Sequence, residues 1–136
     1  MADAQRKAAV IPYRIRKNRV EVALVTTSGG KGWIVPKGSV GRGEEVRHAA
    51  IRETEEEAGL LGVLSRKPIG RYRHVNGDGV SRVDVYVMRV TEELEHWMED
   101  GWRRRRWLAV PDAAERLRKE LGQLVQALGR RVRVDS

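Results

Sequence analysis

Three glutamates, Glu53, Glu56 and Glu57, stand at i, i+3 and i+4 in a stretch that nothing interrupts as a helix: GSVGRGEEVRHAAIRETEEEAGL, residues 38–60. That spacing puts three carboxylates on one helical face, within reach of one another. Like charges so placed repel, and the arrangement is favourable when a cation lies among them. Carboxylate oxygens are hard ligands suited to Mg²⁺, Mn²⁺ or Ca²⁺, and Mg²⁺ keeps much of its shell for water and phosphate. Arg52 is placed to orient a carboxylate of the set. Ahead of the helix, Gly38, Gly41 and Gly43 predict a loop. Glu44 and Glu45 are expected in the first turn, where negative charge is favoured. Gly59 is expected to close the helix in a left-handed C-cap.

The surroundings of this acidic stretch have the opposite sign. The chain of 136 residues carries a net charge of +8, yet residues 44–58 hold six acids against two arginines. An acidic cluster within a basic chain suits a metal site that faces a polyanion, the acids holding the cation and the bases attracting phosphate. The length predicts one domain, residues 1–136, with residues 1–7 and 130–136 as mobile ends. There is no cysteine, which excludes disulfides and thiolate chemistry. There is no apolar run of membrane-spanning length and no signal-peptide core, so a soluble cytoplasmic protein is the expectation.

Around the helix the pattern is mostly extended. Residues 8–15 predict a strand, with Pro12 arguing for an edge position or a bulge. VEVALVTT (20–27) predicts a strand buried on both sides, SGGKG (28–32) a loop, and WIVP (33–36) a short strand. Residues 62–73 read as extended, Asn76-Gly77-Asp78-Gly79 as a turn, and SRVDVYVMRV (81–90) as a strand. In that strand Val83, Val85 and Val87 form the core face, and Arg82, Asp84 and Tyr86 a candidate ligand face. RRRRWLAV (103–110) predicts a strand with Arg104 and Arg106 on one face and Arg103 and Arg105 on the other. Pro111 opens a C-terminal helical region, in which Gly122 either separates two helices or is tolerated within one. The fold class is α/β, a mixed sheet between helices. His48, His74 and His96 show no ligand-pair spacing and are expected as surface or packing residues.

Residues 38–60 match Gly-x5-Glu-x7-Arg-Glu-U-x-Glu-Glu-x-Gly-U, where U is a bulky apolar residue. The matching residues are Gly38, Glu44, Arg52, Glu53, Glu56, Glu57, Gly59 and Leu60, with Thr54 departing at the first U. This resembles the signature of the Nudix hydrolases and implies their α-β-α sandwich with a mixed β-sheet. It also implies hydrolysis of a diphosphate linked to a further moiety. In that reading Glu53, Glu56 and Glu57, with the Gly38 carbonyl, hold Mg²⁺, for which Mn²⁺ substitutes. Glu56 is the candidate general base, with Glu92, Glu93 or Glu95 as alternatives outside the helix. Arg52 orients the acids and Glu44 anchors the loop.

The order AAVIPYR, EVALVTTS, GWIVPKG, the box, then ELEHWMEDGWRRRRW looks like the diphosphoinositol polyphosphate phosphohydrolase branch, which also hydrolyses diadenosine polyphosphates. That similarity implies contact of Arg6, Lys7, Ser28, Arg82 and Arg104 or Arg106 with a small-molecule polyphosphate. Lys37, beside the metal motif, is a further candidate, and it stands where the branch often has Gly. PKG and RETEEEAG also look like diadenosine tetraphosphate hydrolases, the second reading. An inactive Nudix ligand sensor leaves the full acid set unexplained. A nucleic-acid module built on RRRRW leaves the spaced glutamates unexplained, and nucleic acid is not expected as a partner.

Overall fold

In the computed structural model, which describes residues 5–77 and 79–132, most of the strand periodicity becomes a single eight-stranded mixed sheet. β1 (Gln5–Arg16) is central, paired in parallel with β7 (Gly79–Glu93) and antiparallel with β2 (Arg19–Thr26). β3 (Trp33–Ile34) and β8 (Arg105–Ala109) flank β2; β4 (Lys37–Ser39) pairs β1; β5 (Leu60–Leu64) and β6 (Gly70–Asn76) pair β7. α1 (Val46–Ala58) covers one face, and α2 (Val110–Glu115) with α3 (Lys119–Arg131) covers the other.

Alternation along the strands divides the core. Ala9, Ile11, Val83 and Val85 point to the α3 side, where they meet Leu121, Val125 and Leu128. Ala8, Val10, Tyr86 and Met88 point to the α1 side, against Ala49 and Ala50. Two alanines on the buried face of α1 let the helix lie close to the sheet. Gly122 serves the same end on the other side: it lies inside α3, where a Cβ would come within 2.8 Å of the Ala114 carbonyl oxygen, and the two helices separate instead at Arg116–Arg118.

Several expectations are corrected. Pro12 is neither at an edge nor in a bulge. It sits in the central strand, between the end of β4 pairing at Ala9 and the start of β2 pairing at Tyr13, an interval that tolerates a missing donor. Gln5–Lys7 belong to β1 and Arg130–Arg131 to α3, so the tightly paired sheet and helix extend into the predicted ends. Residues 1–4 and 133–136 of those ends, and Asp78 of the predicted turn, lie outside the described residues. On the candidate ligand face of β7, Tyr86 is buried against Ala49 and Ala50 of α1, and Asp84 is buried among Arg6, Arg71 and Arg82. The arginine strand begins at Arg105 rather than Arg103, and Val110 already belongs to α2.

Candidate metal and polyphosphate site

α1 starts at Val46, two residues later than the acids suggested. Glu45 is its extended N-cap residue and no acid lies in the first turn. Gly43 takes φ 75°, and Glu44 is used across the loop rather than along the helix. Its Oε1 accepts from the Gly41 N–H at 2.8 Å, and both its oxygens accept from Arg52 at 3.0 Å. Arg52 also donates to Glu53 Oε1 at 2.8 Å and to the Ser39 carbonyl at 3.3 Å, and lies 3.6 Å from Glu56 Oε2. One arginine ties the loop, β4 and the acidic face together. Thr54, at the first apolar position of the motif, is buried with its hydroxyl satisfied, donating to the Ala50 carbonyl at 2.7 Å.

Glu57 is the most deeply placed of the three acids, 5% exposed. The Lys37 backbone N–H donates to its Oε1 at 3.1 Å, and Arg103 Nη2 stands 4.0 Å from the same oxygen. Burial, and then the adjoining Glu53 carboxyl, push its pKa up to about 8; the Lys37 N–H and Arg103 act in the opposite direction. Glu53 itself lies over Gly38. A Cβ at residue 38 would fall inside the Glu53 carboxyl group, so only glycine leaves room for it.

Among the described residues no three acidic or histidine side chains converge as a finished cation cage. What is assembled is a pair, Glu53 and Glu57, pressed against the Gly38 backbone, with Glu56 more exposed and drawn toward Arg52. Two adjoining carboxylates whose shared charge is disfavoured, beside a carbonyl-bearing glycine cradle, fit Mg²⁺, which takes one or two carboxylates and fills its octahedron with water and substrate oxygens.

The C-terminal end of α1 is held from outside. Gly59 takes φ 63° and donates to the Glu55 carbonyl at 2.9 Å, the expected C-cap. The Ala58 carbonyl accepts from Arg105 at 2.7 Å and the Glu57 carbonyl from Trp97 Nε1 at 2.9 Å. Arg105 lies over the Trp97 ring, 4.5 Å from its centroid. Arg103 joins Glu99 at 2.6 Å and the Thr26 carbonyl at 2.7 Å. The inward pair of the arginine run therefore builds the site's support, whereas Arg104 and Arg106 are exposed. Glu93, one alternative base, is already paired with Arg14 at 3.0 Å and Trp107 Nε1 at 2.8 Å; Glu92 and Glu95 are exposed beyond the end of α1.

A match to the NUDIX domain family model over residues 4–128 accompanies this geometry. The chain belongs to the Nudix family. It is 36% identical over 115 residues to Nudix hydrolase 4 of Arabidopsis thaliana, an overlap of 77% of this chain and 55% of that protein. It is 42% identical over 113 residues to diphosphoinositol polyphosphate phosphohydrolase 3-alpha of Homo sapiens, covering 80% of this chain and 66% of the relative. The Nudix chain thus spans just over half to two thirds of the length of these relatives. Among solved structures, an Ap4A hydrolase of C. elegans superimposes with a TM-score of 0.77 at 22% identity over 93% of this chain and 96% of that one, which shows the shared fold. No helix among the described residues of the Nudix domain is long and apolar enough to cross a membrane.

The substrate candidates separate into groups. Arg6 and Arg82 pair across β1 and β7 on the α1 side, where with Arg71 they surround the buried Asp84 at 3.7, 3.9 and 3.2 Å. Lys7 and Lys37 lie on the other face of the sheet, close enough together that Lys7 helps push the half-buried Lys37 ammonium's pKa down. Ser28 is in the exposed β2–β3 turn, and Arg104 and Arg106 lie near β8. Arg71, Arg103, Arg105 and Arg118 were not singled out from the sequence. Only the alternation of the arginine run hinted at two of them.

Proposed function

We propose that this Nudix domain is a metal-dependent pyrophosphohydrolase that cleaves a phosphoanhydride bond in a small polyphosphorylated molecule. The best candidates are a diphosphoinositol polyphosphate or a long diadenosine polyphosphate. The observation that carries the reading is the Glu53–Glu57 pair packed on Gly38, with the Glu57 carboxyl buried and its pKa raised to about 8. Glu53, Glu57 and Glu56, with the Gly38 carbonyl, would hold Mg²⁺, or Mn²⁺ in its place, which would supply Lewis-acid neutralisation of the substrate's phosphate oxygens.

The protein's own groups do the rest. Arg52 fixes Glu53 in direction and stands beside Glu56. Glu56, the least buried of the three acids, takes the proton of the attacking water. Arg6 and Arg82, on the α1 side with the acids, grip phosphate oxygens in bidentate fashion, and Lys37 and Lys7 extend the basic surround to the other face of the sheet. The substrate class is supported by the similarity to human diphosphoinositol polyphosphate phosphohydrolase 3-alpha and by the basic surround of the acids.

The test is product mapping with Mg²⁺ across diphosphoinositol polyphosphate, diadenosine tetra-, penta- and hexaphosphate, nucleoside triphosphates and ADP-ribose. Turnover of the first compound or the longer diadenosine compounds is expected, and is lost with chelator. Preference for diadenosine tetraphosphate moves the assignment to that hydrolase type. Absence of turnover on every compound overturns the enzyme reading.

A further inference from the structure

A pocket of about 600 Å³ opens on the α3 side of the sheet, between the β3–β4 segment, β6 and the start of α3. Its wall includes Lys37, Tyr72, His74 and Arg118, with Trp33 at one side. Lys37 connects it to the acidic pair: its side chain lines the pocket while its backbone N–H donates to Glu57. The pocket and the acidic pair thus share Lys37.

The pocket is basic and incompletely satisfied. The Arg118 guanidinium is held from three directions: by the two Glu120 oxygens at 3.0 and 3.3 Å, by His74 Nδ1 at 2.7 Å, and by the Tyr72 ring, 4.5 Å from its centroid. A guanidinium only donates, so His74 Nδ1 accepts and the imidazole is neutral with its proton on Nε2. Burial first, and then the charges of Lys7 and Arg118, push the Lys37 pKa down, and burial followed by Lys37, Arg118 and Lys7 does the same to His74. Glu120 is committed to Arg118. The Tyr72 hydroxyl, on a residue 7% exposed, has no hydrogen-bond partner. Lys37 and Arg118 in the wall, Lys7 beside Lys37, and the unpaired hydroxyl of Tyr72 together call for an anion with several acceptor oxygens.

The same wall is poorly suited to a nucleobase. The Tyr72 ring already carries Arg118, and Trp33 is packed on the core cluster around Val35 and Tyr72. We infer that this pocket binds the phosphate-bearing part of the substrate distal to the scissile bond, with Arg118 as a specificity-determining residue positioned by His74 and Glu120, so that ligands with several closely spaced phosphates are selected over nucleoside ends. The inference rests on the hydrolase reading for the word substrate, but the anion site can be tested without turnover.

The experiment is calorimetric titration of the whole chain with inositol hexakisphosphate, tripolyphosphate and AMP, using the wild type, Arg118→Gln, Lys7→Gln and Arg82→Gln, each checked for an unchanged melting temperature. Inositol hexakisphosphate is expected to bind the wild type. Arg118→Gln should weaken it roughly tenfold or more, the loss of a charge-assisted contact, and AMP should bind weakly to both. Lys7→Gln, on β1 and away from the α3 N-terminus, should weaken it in the same direction and decides the matter if Arg118→Gln perturbs the fold. Unchanged affinity in both variants, a loss confined to Arg82→Gln, or a loss of AMP in place of inositol hexakisphosphate overturns the inference. If no compound is hydrolysed yet Arg118→Gln still loses the polyphosphate, the anion site stands and the hydrolase reading falls.

Discussion

Arg52 and Glu44 form a two-pronged ion pair, Nε and Nη2 each 3.0 Å from a different carboxylate oxygen, across eight residues of sequence. The pair joins the glycine loop to the acidic face of α1, and Arg52 spends its remaining Nη1 on Glu53. The arginine, with the Gly41 N–H and His48, holds the Glu44 pKa down at about 2. A depressed carboxylate pKa stabilises the fold above the ordinary value near 4.5, and this contribution is lost as pH falls through about 2. Glu44→Gln should therefore flatten the acid limb of a stability–pH curve between those values. It should also lower kcat without changing the substrate's KM in proportion, because Glu53 loses its guide. An acid limb that superimposes on the wild type's in circular dichroism titrations counts against this network.

Glu57 has the opposite sign. Its carboxyl keeps a proton in the folded chain up to about pH 8, whereas the unfolded chain releases it near 4.5. The metal-free protein should lose stability as pH rises between those values, by on the order of a few kcal/mol at most. Divalent cation relieves the same penalty, so the Mg²⁺-induced rise in melting temperature should grow from pH 5 to pH 8. Glu57→Gln, which keeps an oxygen for the Lys37 N–H, should match or exceed the wild type's melting temperature at pH 8 in chelator while losing turnover at least 100-fold. Retained turnover in that variant contradicts the metal assignment.

The run Arg103 to Arg106 divides by alternation, and stability should divide with it. Arg105 donates to the Ala58 and Leu94 carbonyls from a largely buried position. Arg105→Met leaves those carbonyls unpaired and should cost about 2–4 kcal/mol in urea unfolding. Arg106→Gln, on an exposed side chain, should cost less than about 0.5 kcal/mol. Equal costs for the two would show that the Arg105 contacts hold nothing in solution.

Much of the site was legible because its logic is local. Helical arithmetic puts Glu53, Glu56 and Glu57 on one face, of which the structure joins Glu53 to Glu57 and leaves Glu56 beside Arg52, and Gly59 ends the helix where a positive φ is needed. The start of α1 was misplaced because Glu44 could serve the helix dipole or the loop, and the choice depends on Arg52 reaching back. The central position of Pro12 depends on where β4 hands over to β2, which no local pattern encodes. Of the pocket proposed for the anion, only Lys37 was legible as a phosphate contact, with Lys7 beside it. Lys37, Tyr72, His74 and Arg118 come from three distant segments, and the β6–β7 hairpin and α3 must dock before they share a cavity. Asp84 reads as part of a ligand face in an alternating strand, and it is buried among Arg6, Arg71 and Arg82, two of which come from other strands.

Gly38 offers the sharpest separation of chemistry from folding. It lies on β4 opposite Ala8, at the edge of the sheet, and nothing in the core rests on it. A methyl group there would displace the Glu53 carboxyl and with it the closest approach of Glu53 to Glu57. Gly38→Ala should keep the sheet and the cooperative unfolding transition, with a stability cost of about 1–2 kcal/mol from local adjustment. Manganese binding, followed by the loss of the free-ion electron paramagnetic resonance signal, should weaken at least tenfold. Wild-type manganese affinity in a folded Gly38→Ala protein would mean that Glu53 is not held over Gly38 in the metal-binding state, and the proposed ligand set would have to be drawn without it.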